Sequence, residues 1–165
     1  MRKKVLWLTE TAVMLSLLIA LQWATKPAGQ LVTGSCVNAV LAMSVLVTGL
    51  SSGLTVAVLS PVFAYLLGIA PNVLAVPAIM VGNALFVAAL KLLDGRQLWK
   101  KLLAWVTAAA AKFVAIYVLV AWLICNWNVG AFPAAFSWPQ LVTALIGGGV
   151  ALVIAIPVKK AIHRR

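Results

Sequence analysis

Between its polar and Pro/Gly interruptions the chain consists of six nearly unbroken apolar runs, about residues 5–25, 31–47, 54–70, 73–93, 102–127 and 140–158. A helix needs about 20 apolar residues to cross the hydrocarbon core of a bilayer. Within lipid every backbone N–H and C=O must be bonded inside its own segment, so runs of this length are expected to be helical. The predicted fold is therefore an all-α integral membrane protein, one domain over residues 1–165 with six transmembrane helices. Composition excludes the alternative of a water-soluble domain: the chain is 65% hydrophobic and 9% charged, against about 45–50% and about 25% in soluble proteins.

Thirteen Lys and Arg stand against two acids, a surplus that in a soluble protein would suggest nucleic acid. Here the basic residues sit at the ends of apolar runs, which is a topological pattern, and no nucleic-acid partner is expected. Arg2, Lys3, Lys4, Lys91, Arg96, Lys100, Lys101, Lys159, Lys160, Arg164 and Arg165 fall on one side of a six-span arrangement, and only Lys26 on the other. By the positive-inside rule both termini are predicted to be cytoplasmic. The opening Arg2-Lys3-Lys4 and its apolar sequel read as a retained span, since the run is too long for a signal peptide and carries Glu10. Glu10 reads as a snorkelling or Lys100/Lys101-paired residue, and Cys36 and Cys125 as small buried hydrophobes without a disulfide or metal role.

Three connections share the predicted external side: 26–30, the Pro71-Asn72 turn, and 128–139. The last, NVGAFPAAFSWP, is too apolar for a solvated linker. With Phe132, Phe136 and Trp138, and Trp127 just before it, it reads either as an aromatic belt at headgroup depth or as a lid over an external pocket.

Lys112 lies about ten residues into the fifth run, near the predicted midplane. A charge at that depth is disfavoured by about 2.5–3.5 kcal/mol, so it needs either a ligand or a bundle-facing partner such as Asn83. Projection on a helix puts Lys112, Ala115, Leu119, Trp122 and Asn126 on one face of the fifth span. The same exercise groups Asn72, Val76, Ile79 and Asn83 on the fourth span, and Gln140, Thr143 and Gly147 on the sixth. Convergence of these faces would make an outward pocket of apolar and aromatic walls with a few polar anchors. Its lysine would suit a carboxylate or phosphate, and a neutral ligand is also compatible with it. The candidate substrate-binding residues are thus Lys112, Trp122, Asn126, Trp127, Trp138, Gln140, Thr143, Asn83 and Asn72. Asn38 reads as an interhelical hydrogen bond, and Gly147-Gly148-Gly149 as close helix packing.

The first span carries Ala12, Ser16, Ala20 and Ala24 at every fourth position, a narrow seam that lets another backbone approach. Either it packs inside the bundle or it docks a partner. No paired carboxylates, His cluster, Ser-His arrangement or phosphate loop occurs in the sequence, so an ATPase is excluded within the chain, and neither catalysis nor a cofactor is expected.

Length, six spans, cytoplasmic termini and the Ala12/Ser16/Ala20/Ala24 seam together resemble the substrate-binding S components of energy-coupling factor (ECF) transporters, the bacterial and archaeal vitamin-uptake systems. The phrases TGSCVNAV, SPVFAYLLGIAPNVLAVPAI and GNAL are also similar to members of that family. The resemblance implies a prokaryotic plasma-membrane protein that captures a water-soluble vitamin or related small molecule outside. It further implies docking through the seam, in which Ser16 replaces one alanine, to a transmembrane coupling subunit that works with a pair of ATPases. Two other functions fit the residues: a self-contained oligomeric carrier or channel with Lys112 as its working charge, and an assembly protein that uses only the seam.

Overall fold

The computed structural model describes residues 2–70, 72–95, 97–128 and 133–162, without the side chains of residues 2, 3 and 162. Sequence features at Phe132, Arg96, Pro71, His163, Arg164 and Arg165 lie outside the described residues. The described residues form six α-helices: α1 Arg2–Thr25, α2 Gln30–Met43, α3 Leu50–Leu66, α4 Ala75–Leu92, α5 Leu98–Leu123 and α6 Trp138–Ile162. Apolar stretches Lys4–Ala28, Gln30–Thr48, Ala75–Leu92, Leu98–Leu123 and Trp138–Ala161 are long enough to cross a membrane, and α3 is shorter. This is the build of a helical, multi-pass membrane protein.

The outer surface argues the same way. Leu66, Leu92, Leu98 and Val153 are among many large apolar side chains left exposed, a surface that water would not tolerate and lipid would cover. Hydroxyls on the outer part of the bundle are satisfied by their own helices: Thr9, Thr25, Ser35, Thr55 and Thr107 each donate to the carbonyl four residues earlier, so these five donors are not left bare in hydrocarbon.

Polar ties fix the helix directions. Trp7 Nε1 donates to Ser51 Oγ at 3.0 Å and Thr11 Oγ1 to Ser52 Oγ at 2.9 Å, joining the starts of α1 and α3. At the opposite end Lys26 Nζ donates to Gly68 O at 2.9 Å, joining the α1–α2 turn to the chain leaving α3. Within the bundle α2 packs on α6, α4 on α3 and α5, and α5 on α6, while α1 lies against α2 and α3. Leu18, Leu41, Val45, Phe86, Leu90 and Ala108 belong to the main apolar core.

The third helix begins at Leu50, four residues earlier than its apolar run suggests. One residue suffices for the turn because Gly49, at φ 103°, reverses the chain in a conformation a side chain would resist. A five-residue π-helical segment, Ser44–Thr48, widens the end of α2 just before it. Ser51-Ser52-Gly53, expected as loop, therefore starts a helix whose Ser52 is buried against Thr11. The fifth helix ends at Leu123, short of the expected Trp127, because Asn126 and Trp127 take positive φ values of 44° and 63°.

Candidate functional site

The site is built around Lys112, which is 2% exposed. Its Nζ donates to Asn38 Oδ1 of α2 and, at 2.7 Å, to Asn83 Oδ1 of α4, and lies 5.6 Å from the centre of the Phe86 ring. Two amide oxygens and an aromatic face thus receive the cation.

Each amide is held in that orientation through its other end. Pro61 lacks the N–H that a helix would aim at Ala57 O. Asn83 Nδ2 donates to this carbonyl at 3.4 Å, leaving Asn83 Oδ1 turned to the lysine. On the other side Asn38 Nδ2 donates to Thr143 Oγ1 at 3.3 Å, and that hydroxyl donates in turn to Gln140 O at 3.2 Å. Thr143→Val keeps the volume and removes the acceptor. Its expected result is a loss of about 1–2 kcal/mol in stability, from the stranded Asn38 amide, read as a lower midpoint of thermal unfolding in detergent.

Lys112, Asn38 and Asn83 form the floor of a cavity of about 200 Å³. Its walls come from Gln22 of α1, Gln30, Thr33 and Gly34 of α2, Ser60, Pro61 and Ala64 of α3, Ile79 of α4, and Pro133, Phe136 and Gln140 near the start of α6. No Asp or Glu lies among these lining residues. The volume falls just below the range of about 300–1,000 Å³ common for ligand sites, which suits a small ligand. The segment before α6 folds back: Phe136 is buried with Ala75, Ala78, Ile116 and Val120, and Gln140 Nε2 donates to Ala135 O at 2.9 Å.

Of the residues singled out from the sequence, Lys112, Asn83 and Gln140 meet at this cavity. Thr143 is buried beside it and acts through Asn38. Trp122, Trp127 and Trp138 are 58%, 62% and 61% exposed, Asn126 is exposed, and none of the four lines the cavity. Asn72 is occupied in the turn that leads into α4, its Oδ1 accepting from Leu74 N at 2.9 Å, and is likewise outside the lining. The projected face of α5 was displaced because the inward residues are Ala104, Ala108, Lys112, Ile116 and Val120. At about 100° per residue Trp122 lies about 80° from Lys112 and turns outward.

The contributions of α1 to α3 were not foreseen. Asn38, expected as an interhelical bond, is that and also part of the floor. Gln22, a polar residue in an otherwise apolar run, and Ser60-Pro61, a helix-interrupting pair, were the available signals. Among the described residues Cys36 and Cys125 are not joined in a disulfide, and Ala12, Ser16, Ala20 and Ala24 are all exposed on the outer face of α1. No protein-family model, curated protein or solved structure matches the chain.

Proposed function

We propose that the chain is the substrate-capture subunit of an ECF-type importer in a prokaryotic plasma membrane, binding a vitamin or related small molecule without transforming it. The observation that carries this reading is the cavity closed at its floor by a buried lysine between two oriented amides, an anchor for a carboxylate or other acceptor group. In the proposed topology both termini are cytoplasmic and the cavity opens outward, with the segment carrying Phe136 as its cover.

The reading also assigns the row Ala12, Ser16, Ala20 and Ala24 to docking on a transmembrane coupling subunit, which works with an ATPase pair. The row supports this assignment by facing away from the bundle, where it adds nothing to internal packing. Ala20→Trp is then expected to abolish co-purification with the coupling subunit while leaving ligand affinity within about twofold of the wild type, since the added ring projects away from the cavity. Equal loss of both properties would mean that the row packs within the bundle.

Ligand capture is tested by titrating the purified chain with water-soluble vitamins and following the fluorescence of its seven tryptophans. A saturable response at micromolar or lower concentration is expected for one of them. Solute flux by the chain alone in liposomes, with no co-purifying ATPase module, would instead establish the self-contained carrier with Lys112 as its working charge.

A further inference from the structure

Two residues that line the cavity each carry a buried polar atom that the described residues leave unsatisfied. Gln22 Oε1 of α1 and Ser60 Oγ of α3 are both shielded from solvent and have no hydrogen-bond partner among the described residues. Both residues line the cavity whose floor is Lys112, and Ser60 as a whole is only 2% exposed. Buried polar groups are nearly always paired, and a stranded one costs as much as a broken hydrogen bond. Here two stranded atoms belong to residues of different helices that line the same cavity.

The chemistry of each atom restricts what can fill it. An amide oxygen accepts and never donates, so Gln22 Oε1 calls for an N–H or O–H. Ser60 Oγ can accept from the same kind of group or donate back to it. Lys112 only donates, and two of its three N–H groups go to Asn38 and Asn83. No carboxylate lines the cavity, so a cationic ligand would add uncompensated charge beside the lysine. A fully deprotonated inorganic anion such as sulfate would suit Lys112 but set acceptor against acceptor at Gln22. An apolar molecule would leave Gln22 and Ser60 stranded.

We infer that the ligand is a small organic anion bearing an uncharged hydroxyl or N–H donor, its carboxylate-like group on Lys112 and its donor shared by Gln22 Oε1 and Ser60 Oγ. The inference rests on the cavity being the ligand site, as proposed above, and narrows what that site accepts. It makes α1 a contributor to ligand recognition as well as the carrier of the small-residue row, because Gln22 lies on the same helix as Ala20 and Ala24.

The test uses the full chain in detergent and matched probes: lactate against propionate, mandelate against phenylacetate, and each hydroxy acid against its primary amide, with phenethylamine, sulfate and toluene as the other classes. Thermal stabilisation and fluorescence titration are read for the wild type, Lys112→Met, Gln22→Met and Ser60→Ala. In the wild type a hydroxy acid is expected to bind about tenfold more tightly than its deoxy partner. That preference should fall to about twofold or less in Gln22→Met or Ser60→Ala, whereas Lys112→Met should erase the preference for acid over amide. The comparison of lactate with propionate and mandelate with phenylacetate on the wild type stands even if a variant does not fold. Binding that depends on Lys112 but ignores the hydroxyl, or a best binder that is sulfate, the amine or toluene, overturns the inference and leaves the cavity as a ligand site. Binding by a probe that none of the three substitutions alters overturns the site as well, and so does the absence of binding by every probe.

Discussion

Replacing Lys112 with Met is expected to weaken binding of the best small carboxylate by about 10- to 100-fold, the loss of one charge-assisted hydrogen bond in a water-poor cavity. Fluorescence titration of the full chain measures it. The effect on stability is expected to be much smaller, because two terms oppose each other. Met strands Asn38 Oδ1 and Asn83 Oδ1, which both accept from the lysine, at about 1–3 kcal/mol each. It also removes a charge from an interior where holding it is costly. Substituting Asn38 and Asn83 by Leu together with Lys112→Met removes the stranded amides too. It leaves Ala57 O without the donor that Asn83 Nδ2 supplies, which offsets part of that gain, so the triple variant should unfold close to the wild-type temperature while remaining unable to bind. Unchanged affinity in Lys112→Met would take the lysine out of the site, and a triple variant that cannot fold would give the cluster a structural task instead.

The apolar runs located all six described helices, because lipid imposes one backbone solution on any such run and leaves only the ends to local chemistry. The ends moved where a few backbone angles decided them, at Gly49 for α3 and at Asn126 and Trp127 for α5. That Lys112 would be buried among polar partners was legible from depth alone, since a charge far from water demands partners wherever the helices lie. Its actual partners were only half legible. Asn83 lies across the closely packed α4–α5 pair, whereas Asn38 arrives from α2, which packs mainly on α6 and not on α5. Which helices meet depends on the positions of small residues on both partners, a property of pairs that no single run displays. That the exposed tryptophans lie outside the cavity lining was not legible for a related reason: an aromatic near a helix end suits the lipid interface and a cavity wall equally well.

The α2–α6 crossing that brings Asn38 to Thr143 supplies the second large effect. A Cβ added at Gly147 would collide with Ser35 O and come within 2.7 Å of Ala39 N and of Asn38 Cβ. Two of these atoms are backbone of α2, which cannot rotate aside, so the helices must separate. Gly147→Ala is therefore expected to cost about 1–3 kcal/mol and to lower the unfolding midpoint in detergent by several degrees. Binding should fall with it, because the Asn38–Thr143 hydrogen bond already spans 3.3 Å and a further few tenths of an ångström breaks it. Released from Thr143, Asn38 no longer holds its oxygen on Lys112, so the lysine is expected to lose its position together with its partner. Gly149→Ala is the control on the same helix: the three atoms nearest its Cβ all belong to the Trp105 ring, the closest at 3.1 Å, and a side chain at that distance can give by a few tenths of an ångström where backbone cannot. The expected order is a large loss of stability and affinity for Gly147→Ala and little of either for Gly149→Ala. Equal effects of the two would mean that α2 and α6 do not cross closely enough at Gly147 to position Asn38, and the orientation of the lysine would then need another cause.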